Sequence, residues 1–290
     1  MSLSGWMFKK ACTRSDRKRD AGLTVPEELT VVRDIRYGRD PKDNTLDVCY
    51  PTDREQGKLP VIINVHGGGY VYGSKDLYQY YAADLAMRGF AVVTFNYKLA
   101  PAAIFPSPLR DLNLVIGWLV ANADTYHLDM NNVFMVGDSA GAQIASQYAT
   151  IYSDAEYRKI MLMKRPKLRL AGLGLACGMY DLKKMIEKEG PKGLVAGYLG
   201  RHPENYGEML DITEHIGPDY PPVYLFSAGG DFLLEELEPM EKLLTEHGVP
   251  CESRVYGDEH TGHVFHLDIR SDLAKEANDA QTAFFRKYIV

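Results

Sequence analysis

An α/β fold is predicted for this chain, with a mostly parallel, twisted sheet, helices on both faces and a helical cap. First, short apolar runs alternate with longer helical patterns, which is typical of strand–helix–strand units. Second, the 290 residues are 46% hydrophobic, which suits one large domain with a sizeable core. Third, residues 178–219 interrupt this alternation with several glycines and prolines and no clear buried strand.

The first two strands are predicted to be antiparallel and half exposed. They cover residues 31–37 and 45–50, and the second alternates apolar side chains with polar or small ones. Residues 40–44 between them, Asp-Pro-Lys-Asp-Asn, have the composition of a turn. Each of these two strands is therefore expected to have one face in water.

The later strands are apolar throughout, as in a parallel sheet that is covered on both faces. They are predicted at residues 61–65, 91–95, 132–136, 170–175 and 223–226, and a last strand follows at 252–256. Helices are predicted between them at residues 77–88, 109–122, from about Ala140 onward, 235–247 and 271–288. Gly89 and Gly248 follow two of these helices, where a left-handed residue commonly ends a helix.

The cap is predicted from the segment that breaks the pattern. Residues 178–219 contain helical pieces such as 182–189, and they are too many for a plain connection between two strands. We expect this segment to cover the functional site, together with about residues 1–25. The predicted organisation is a single domain over 1–290 with a cap from these two segments.

Charge and composition exclude several classes of protein. The formal net charge is −6, which argues against a nucleic-acid-binding surface. No run reaches about 18 apolar residues, so no transmembrane helix and no membrane partner are expected. The N-terminus also lacks the apolar core of a signal peptide, and the location is predicted to be cytoplasmic.

Two further sets of residues have a local interpretation. A basic cluster near the N-terminus is either a membrane or partner arm or, as we favour, a short amphipathic helix with a solvated face. Its members are Lys9, Lys10, Arg14, Arg17, Lys18 and Arg19. The cysteines are Cys12, Cys49, Cys177 and Cys251, and their spacing indicates reduced thiols rather than a disulfide framework or a metal clip.

A nucleophile is predicted at Ser139, within Gly137-Asp138-Ser139-Ala140-Gly141. Gly-x-Ser-x-Gly between an apolar strand and a helix is the pattern of a nucleophile elbow, whose tight turn requires the two glycines. The turn presents the serine hydroxyl at a helix N-terminus, where partial positive charge favours a developing anion. The pattern is weak alone, and its place between strand and helix makes it specific.

A glycine-rich loop follows the strand at 61–65. It is His66-Gly67-Gly68-Gly69, and three consecutive glycines cost backbone entropy that an ordinary turn need not spend. A loop that must bring amide N–H groups against a reacting oxygen does need them. With the Ala140 amide it is predicted to form an oxyanion hole. His66 precedes the nucleophile in the chain, so we interpret it as structural rather than as the base.

The acid and the base should follow the serine in that order. Asp231 lies just past the strand at 223–226 in a glycine-containing turn, and Glu235 and Glu236 are the alternatives. His263 is the preferred base because a flexible Thr-Gly pair precedes it and an apolar pair follows it. His260 and His266 remain as alternatives. A metal on these three histidines is disfavoured because no matching carboxylate or cysteine motif accompanies them.

These motifs resemble the hormone-sensitive-lipase-like branch of the α/β hydrolases, the esterases with a His-Gly-Gly-Gly motif. The blocks that carry the resemblance are His66 to Gly69, Asn96 to Pro101 with Phe105-Pro106, and Gly137 to Gly141. The segments Asp231-Phe232-Leu233 and His263-Val264-Phe265 are similar to the acid and base segments of that family. The resemblance covers about residues 45–290.

The resemblance implies a triad of Ser139, Asp231 and His263, with oxyanion donors at the amides of Gly68, Gly69 and Ala140. It implies a serine carboxylesterase acting on short-chain, small-molecule esters, with no cofactor and no metal. Two alternatives stay open: an amidase or formamidase on the same fold, and a ligand receptor without catalysis. By analogy with such folds, a homodimer through the last strand or helix is an alternative to a monomer.

Two residues depart from the family pattern. Lys98 stands where arginine is usual, and we expect it in a structural salt bridge. Val264 stands where glycine is usual, directly after His263. Tyr70, Tyr72 and Tyr78 follow the glycine loop, and they are expected either to wall a small pocket or to pack in the core.

Overall fold

The computed structural model describes residues 3–53 and 57–290. Its strands are β1 (Leu29–Arg36), β2 (Thr45–Pro51), β3 (Leu59–Val65), β4 (Ala91–Phe95), β5 (Leu128–Asp138), β6 (Leu170–Ala176), β7 (Val223–Ala228) and β8 (Cys251–Tyr256). They form one sheet in the order β1-β2-β4-β3-β5-β6-β7-β8. The pairs β1–β2 and β2–β4 are antiparallel, and the other five pairs are parallel.

The α-helices are α1 (Leu3–Asp20), α2 (Gln79–Ala86), α3 (Ser107–Asn122), α4 (Ala140–Ser153), α5 (Ala155–Ile160), α6 (Leu182–Glu189), α7 (Leu194–Leu199), α8 (Leu237–Glu246) and α9 (Asp272–Arg286). Short 3₁₀ helices lie at Lys75–Tyr78, Pro203–Leu210, Thr213–His215, Leu234–Glu236 and Phe265–Leu267. None of the helices in the described part of the chain is long and apolar enough to cross a membrane.

Helices cover both faces of the sheet. On one face, α3, α4 and α8 pack on the strands through a large apolar cluster that includes Leu112, Ile144 and Leu244. On the other, α2 and α9 pack through a second cluster that includes Leu85 and Phe285. The predicted α/β fold with a mostly parallel sheet is therefore confirmed.

The prediction that β2 has one face in water is wrong. Its residues from Thr45 to Tyr50 are all buried, because both faces are covered: Leu46, Val48 and Tyr50 belong to the first apolar cluster and Cys49 to the second. Even Asp47 is only 4% exposed, and its carboxylate lies 2.9 Å from the Nζ atom of Lys75. A buried ion pair thus accounts for the polar residue that suggested a wet face. The edge strand β1 does have exposed residues.

The N-terminal basic cluster lies on helix α1. Lys9, Lys10, Arg14, Arg17 and Lys18 are exposed on it, as expected for a solvated face. The opposite face contacts the body of the protein: the Tyr72 hydroxyl donates to Asp16 at 2.7 Å, and Arg19 donates to the Leu77 carbonyl at 2.9 Å. Arg270 donates to the carbonyls of Arg19 and Ala21, near the end of the helix.

Candidate active site

The candidate site forms where the carboxyl ends of parallel strands meet. The strands β3, β5, β7 and β8 are parallel neighbours or near neighbours, so the loops after them lie at one edge of the sheet. His66 follows β3, Ser139 follows β5, Asp231 follows β7 and His263 follows β8. Topology therefore brings four distant parts of the chain together.

Ser139 occupies a strained turn between β5 and α4. Its backbone has φ 52° and ψ −121°, a conformation that a non-glycine residue adopts only when its surroundings impose it. A Cβ atom on Gly137 would lie 2.5 Å from the Gly141 carbonyl oxygen, and one on Gly141 would lie 2.0 Å from the Val65 carbonyl oxygen. Both glycines are thus required for the close approach of this turn to its own helix and to β3.

The glycine loop has the backbone that its sequence suggests. Gly68 has φ 112° and Gly69 has φ 56°, both in the region that favours glycine. A Cβ atom on Gly68 would lie 2.3 Å from the Tyr72 carbonyl oxygen. The Ala140 amide is the first of α4, and amides in a first turn have no acceptor within their own helix. Because Ala140 directly follows Ser139, the positive end of α4 lies beside the serine.

Tyr78 links the glycine loop to the elbow. The Gly67 amide donates to the Tyr78 hydroxyl oxygen at 2.8 Å, and the hydroxyl donates to Asp138 Oδ2 at 2.9 Å. Burial raises the pKa of Asp138 to about 6, although the hydrogen bond from Tyr78 opposes the shift. The sequence predicts Tyr78 only as a wall or packing residue, since a single tyrosine has no pattern that reveals a bridging hydroxyl.

His66 is enclosed behind the loop. Its ring stacks on Tyr97 with the centroids 4.0 Å apart, and its Nδ1 atom lies 2.7 Å from the Gly67 carbonyl oxygen. Burial lowers its pKa to about 4, so the ring is neutral at ordinary pH. A neutral ring with Nδ1–H donates to the Gly67 carbonyl, which fits the expected structural role beside the loop.

Asp231 and His263 are in direct contact. His263 Nδ1 lies 2.8 Å from Asp231 Oδ1, which also accepts the Leu233 amide at 2.9 Å. Ser227 donates its hydroxyl to Asp231 Oδ2 at 2.8 Å. Burial alone would raise the pKa of Asp231, but the hydrogen bond and charge of His263 outweigh it and lower the pKa to about 2. The carboxylate is therefore charged and held in a fixed orientation.

The three neighbouring histidines lie in different environments. His263 has a side chain that is 21% exposed, and it faces Asp231. His260 points into water with 84% of its side chain exposed. His266 is buried, and burial lowers its pKa to about 3. Of the three, the structure brings His263 to the carboxylate.

The alternative acids Glu235 and Glu236 face a different part of the molecule. Glu235 pairs with Lys188, and Glu236 pairs with Lys184 at 2.7 Å. Both lysines lie on α6, so these carboxylates connect the 3₁₀ helix Leu234–Glu236 to that helix.

One group of metal-ligand atoms occurs among the described residues, and it is not the set of three histidines. Cys177, Asp231 and His263 place one ligand atom each within 4.8 Å of one another. Burial raises the pKa of the Cys177 thiol well above its usual value, so the sulfur is protonated. Within this cluster Asp231 and His263 are hydrogen-bonded to each other at 2.8 Å, and the Cys177 sulfur accepts from the Val264 amide at 3.4 Å.

Ser139 and His263 line two cavities, of about 210 Å³ and about 200 Å³. The larger cavity has charged and polar side chains in its wall, from Asp16, Arg19, Tyr72, Tyr78 and Asp138, beside apolar ones such as Leu77 and Leu267. The smaller one is mainly apolar, with Tyr70, Met179, Met185, Leu194 and Phe232 in its wall. Phe8 of α1 contributes to both. The three tyrosines after the glycine loop, Tyr70, Tyr72 and Tyr78, are buried and also line these cavities, so they both pack in the core and form the cavity walls.

The two departures from the family pattern are also explained locally. Lys98 forms a salt bridge with Asp111 at 2.9 Å, the structural role expected of it. Val264 has φ 54° and ψ 34°, a left-handed conformation that glycine adopts freely and a β-branched residue rarely does. Its amide donates to the Cys177 sulfur at 3.4 Å.

The sequence of this chain matches a known protein family. The BD-FAE family model matches residues 46–236, about two thirds of the chain. The chain belongs to the BD-FAE family. The matched part of this BD-FAE protein contains the glycine loop, Ser139 and Asp231, while His263 lies beyond it.

The curated relatives of this BD-FAE protein include several esterases. It is 26% identical to the acetyl esterase of Salmonella paratyphi B over 258 residues, 84% of this chain and 76% of that protein. It is 26% identical to the versiconal hemiacetal acetate esterase of Dothistroma septosporum over 230 residues, 71% of this chain and 67% of that protein.

Solved esterase structures share its fold. Esterase B from Lactobacillus rhamnosis superposes with a TM-score of 0.89 at 25% identity, covering 98% of this chain and 94% of that one. A bacterial heroin esterase superposes with a TM-score of 0.77 at 21% identity, covering 97% of this chain and 91% of that one. The α/β-hydrolase fold and the resemblance to hormone-sensitive-lipase-like esterases are confirmed, and this BD-FAE protein is a carboxylic ester hydrolase.

Proposed function

We propose that the protein is a serine carboxylesterase in which Ser139 is the nucleophile, His263 the general base and Asp231 the residue that orients the base. The observation that carries this proposal is the 2.8 Å contact between Asp231 Oδ1 and His263 Nδ1. It leaves the Nε2 atom of His263 available toward the cavities that His263 shares with Ser139. A serine, a histidine and a buried carboxylate in these roles suit acyl transfer.

The reaction proceeds in two halves. Ser139 Oγ bonds to the ester carbonyl carbon as its proton passes to His263. The bond to the alcohol oxygen then breaks, and that oxygen takes the proton from His263. Water repeats the sequence on the acyl-enzyme and releases the acid. The amides of Gly68, Gly69 and Ala140 stabilise the oxyanion in both halves, where each such donor contributes roughly 3 kcal/mol.

Short esters of small molecules are the proposed substrates. Each cavity beside Ser139 has about 200 Å³, which is less than the roughly 300 Å³ at the lower end for pockets that take drug-sized ligands. We propose that α1 and the 178–219 segment act as the cap, because Phe8, Met185 and Leu194 from these segments line the cavities. An ester rather than an amide is proposed because the curated relatives named above are esterases.

A receptor without catalysis is the weaker hypothesis, since the contact between Asp231 and His263 is one that catalysis needs and ligand binding does not. Cytoplasmic location and a homodimer stay predictions.

The test is replacement of the proposed nucleophile. Ser139→Ala should lower kcat on p-nitrophenyl acetate by at least about a thousandfold, because the covalent step is lost. Ser153→Ala is the control, since Ser153 lies on the same helix and donates only to carbonyls of its own helix. A fluorophosphonate probe should label the wild type at Ser139. Undiminished turnover by Ser139→Ala, or labelling at another residue, would contradict the proposal.

A further inference from the structure

Phe232 is a large apolar side chain that stands exposed at the candidate site. It is 66% exposed, although it directly follows Asp231, whose side chain is fully buried. Its ring packs on the imidazole of His263, with the two centroids 4.4 Å apart and the planes inclined by 43°. One side of the ring therefore contacts the proposed base, and much of the rest faces solvent.

The surroundings of this ring are apolar. Phe232 lines the smaller cavity beside Ser139, together with Met179, Met185 and Leu194. Exposed apolar residues that adjoin an apolar cavity commonly mark a binding surface. Lys188 and Glu189 also line this cavity, but Lys188 is paired with Glu235 and Glu189 accepts a hydrogen bond from the Val195 amide at 2.9 Å. An uncharged apolar ligand therefore suits the place better than an ionic one.

The position of the Phe232 ring places it beside the alcohol half of the ester. His263 must give its proton to the alcohol oxygen, so the alcohol group departs beside the imidazole. Phe232 is the aromatic ring that packs on that imidazole. An aromatic ring on the alcohol could stack on the free side of Phe232 in the offset or edge-to-face arrangement that aromatic pairs prefer.

We infer that Phe232 determines specificity for the alcohol half of the substrate, and that esters of arylmethyl alcohols are the preferred class. This inference rests on the proposed serine esterase mechanism. It goes beyond that mechanism because Ser139, His263 and Asp231 would hydrolyse an aliphatic ester by the same steps.

The experiment compares two matched pairs of esters. Benzyl acetate and cyclohexylmethyl acetate differ only in the aromaticity of the alcohol. Ethyl phenylacetate and ethyl cyclohexylacetate differ in the same way in the acyl group. The values of kcat/KM are measured for the wild type, for Phe232→Leu, which removes the ring but stays apolar, and for Phe232→Tyr, which keeps a ring.

The expected result concerns a ratio. The wild type should prefer benzyl acetate over cyclohexylmethyl acetate, and Phe232→Leu should lower that ratio by about threefold to tenfold, the range for one aromatic pair. Phe232→Tyr should retain most of the preference. The ratio for the acyl pair should not change with the variants.

Three results would overturn the inference. The first is an unchanged benzyl ratio in Phe232→Leu with both acetates slowed equally, as expected if the ring only supports His263. The second is a ratio for the acyl pair that falls in Phe232→Leu as much as the benzyl ratio does. The third is a wild type that shows no preference for benzyl acetate. If the wild type hydrolyses none of the four esters, the proposed function itself fails.

Discussion

Val264 holds a backbone conformation that β-branched residues rarely adopt, immediately after His263. Its φ of 54° and ψ of 34° put its Cβ atom close to its own backbone. The strain persists because the surroundings hold the residue: its amide bonds to Cys177, and its side chain packs on the second apolar cluster. The site thus contains a strained residue beside the proposed base.

This strain can be measured with two substitutions. Val264→Ala keeps a Cβ atom, and Val264→Gly does not, while both lose the valine contacts. At an ordinary position glycine is less stable than alanine by roughly 0.5–1 kcal/mol. Here we expect the order to reverse, with Val264→Gly more stable by about 1 kcal/mol in urea unfolding. Alanine as the more stable variant would show that the positive φ costs nothing.

Single substitutions can also test which histidine is the general base. His263→Ala should lower kcat on p-nitrophenyl acetate by at least about a thousandfold, because the serine then has no proton acceptor. His260→Ala should change kcat less than about twofold, because the His260 side chain lies in water and Asp231 contacts His263 rather than His260. A large loss in His260→Ala with activity kept in His263→Ala would reverse the assignment.

At the scale of elements, the glycine loop and the elbow are joined through one hydroxyl. Tyr78→Phe removes it, leaving the Gly67 amide and Asp138 without that partner. The amides of Gly68 and Gly69, the proposed oxyanion donors, follow Gly67 directly, so we expect kcat to fall by about tenfold while KM changes little. An equal change in both constants would indicate disturbed substrate binding instead.

The control for that prediction comes from the next helix. Tyr81 is also a buried tyrosine, but its hydroxyl accepts from Gln281 at 3.0 Å, away from the loop. Tyr81→Phe should therefore cost stability without the selective loss of kcat. Thermal unfolding of both variants separates loss of fold from misplacement of the loop.

Strands and helices could be predicted where a local sequence pattern was sufficient to define them. All eight strands were located, the first two by alternation and the central ones by apolar runs, but β5 begins at Leu128, four residues before the predicted start. Its extra residues pair with Leu59 and Pro60 of β3, a long-range contact that no local pattern reveals. The predicted helix at 77–88 is split into the 3₁₀ helix Lys75–Tyr78 and α2, so Tyr78 is not part of the α-helix and reaches Asp138.

The candidate site was predictable to a similar extent. The Ser139 turn and the glycine loop depend on local backbone geometry, which glycine spacing records. The contact between Asp231 and His263 spans 32 residues of sequence and depends on how the loop after β8 folds. The docking of α1 beside the cavities was only a general expectation, because it depends on tertiary contacts such as that of Asp16 with Tyr72.

At the scale of the whole molecule, buried histidines couple folding to pH. His66 and His266 have pKa values lowered by burial to about 4 and about 3, so the folded protein keeps them neutral where the unfolded chain protonates them. Below about pH 6.5 the unfolded state therefore binds more protons, and stability falls as pH falls. Asp138 acts in the opposite sense between about pH 6 and pH 4, because its raised pKa makes the folded state bind a proton there.

A single variant isolates one of these contributions. His266→Phe places an apolar ring among Tyr81 and Phe226, which already contact the imidazole. Relative to the wild type, the variant should gain about 2 kcal/mol of unfolding free energy between pH 7 and pH 5. His247→Phe is the control, because that exposed side chain is in water before and after unfolding. No gain on acidification would contradict a buried neutral His266.

The paired cavities have a kinetic consequence. In the proposed mechanism, the alcohol leaves the cavity that Phe232 lines while the acyl group stays bonded to Ser139. Another alcohol can enter that vacancy in competition with water, so the acyl-enzyme should partition between hydrolysis and transesterification. With an arylmethyl alcohol added, we expect product distribution to shift toward the new ester, as chromatography of both products would show. The protein would then be an acyltransferase whenever acceptor alcohol is abundant.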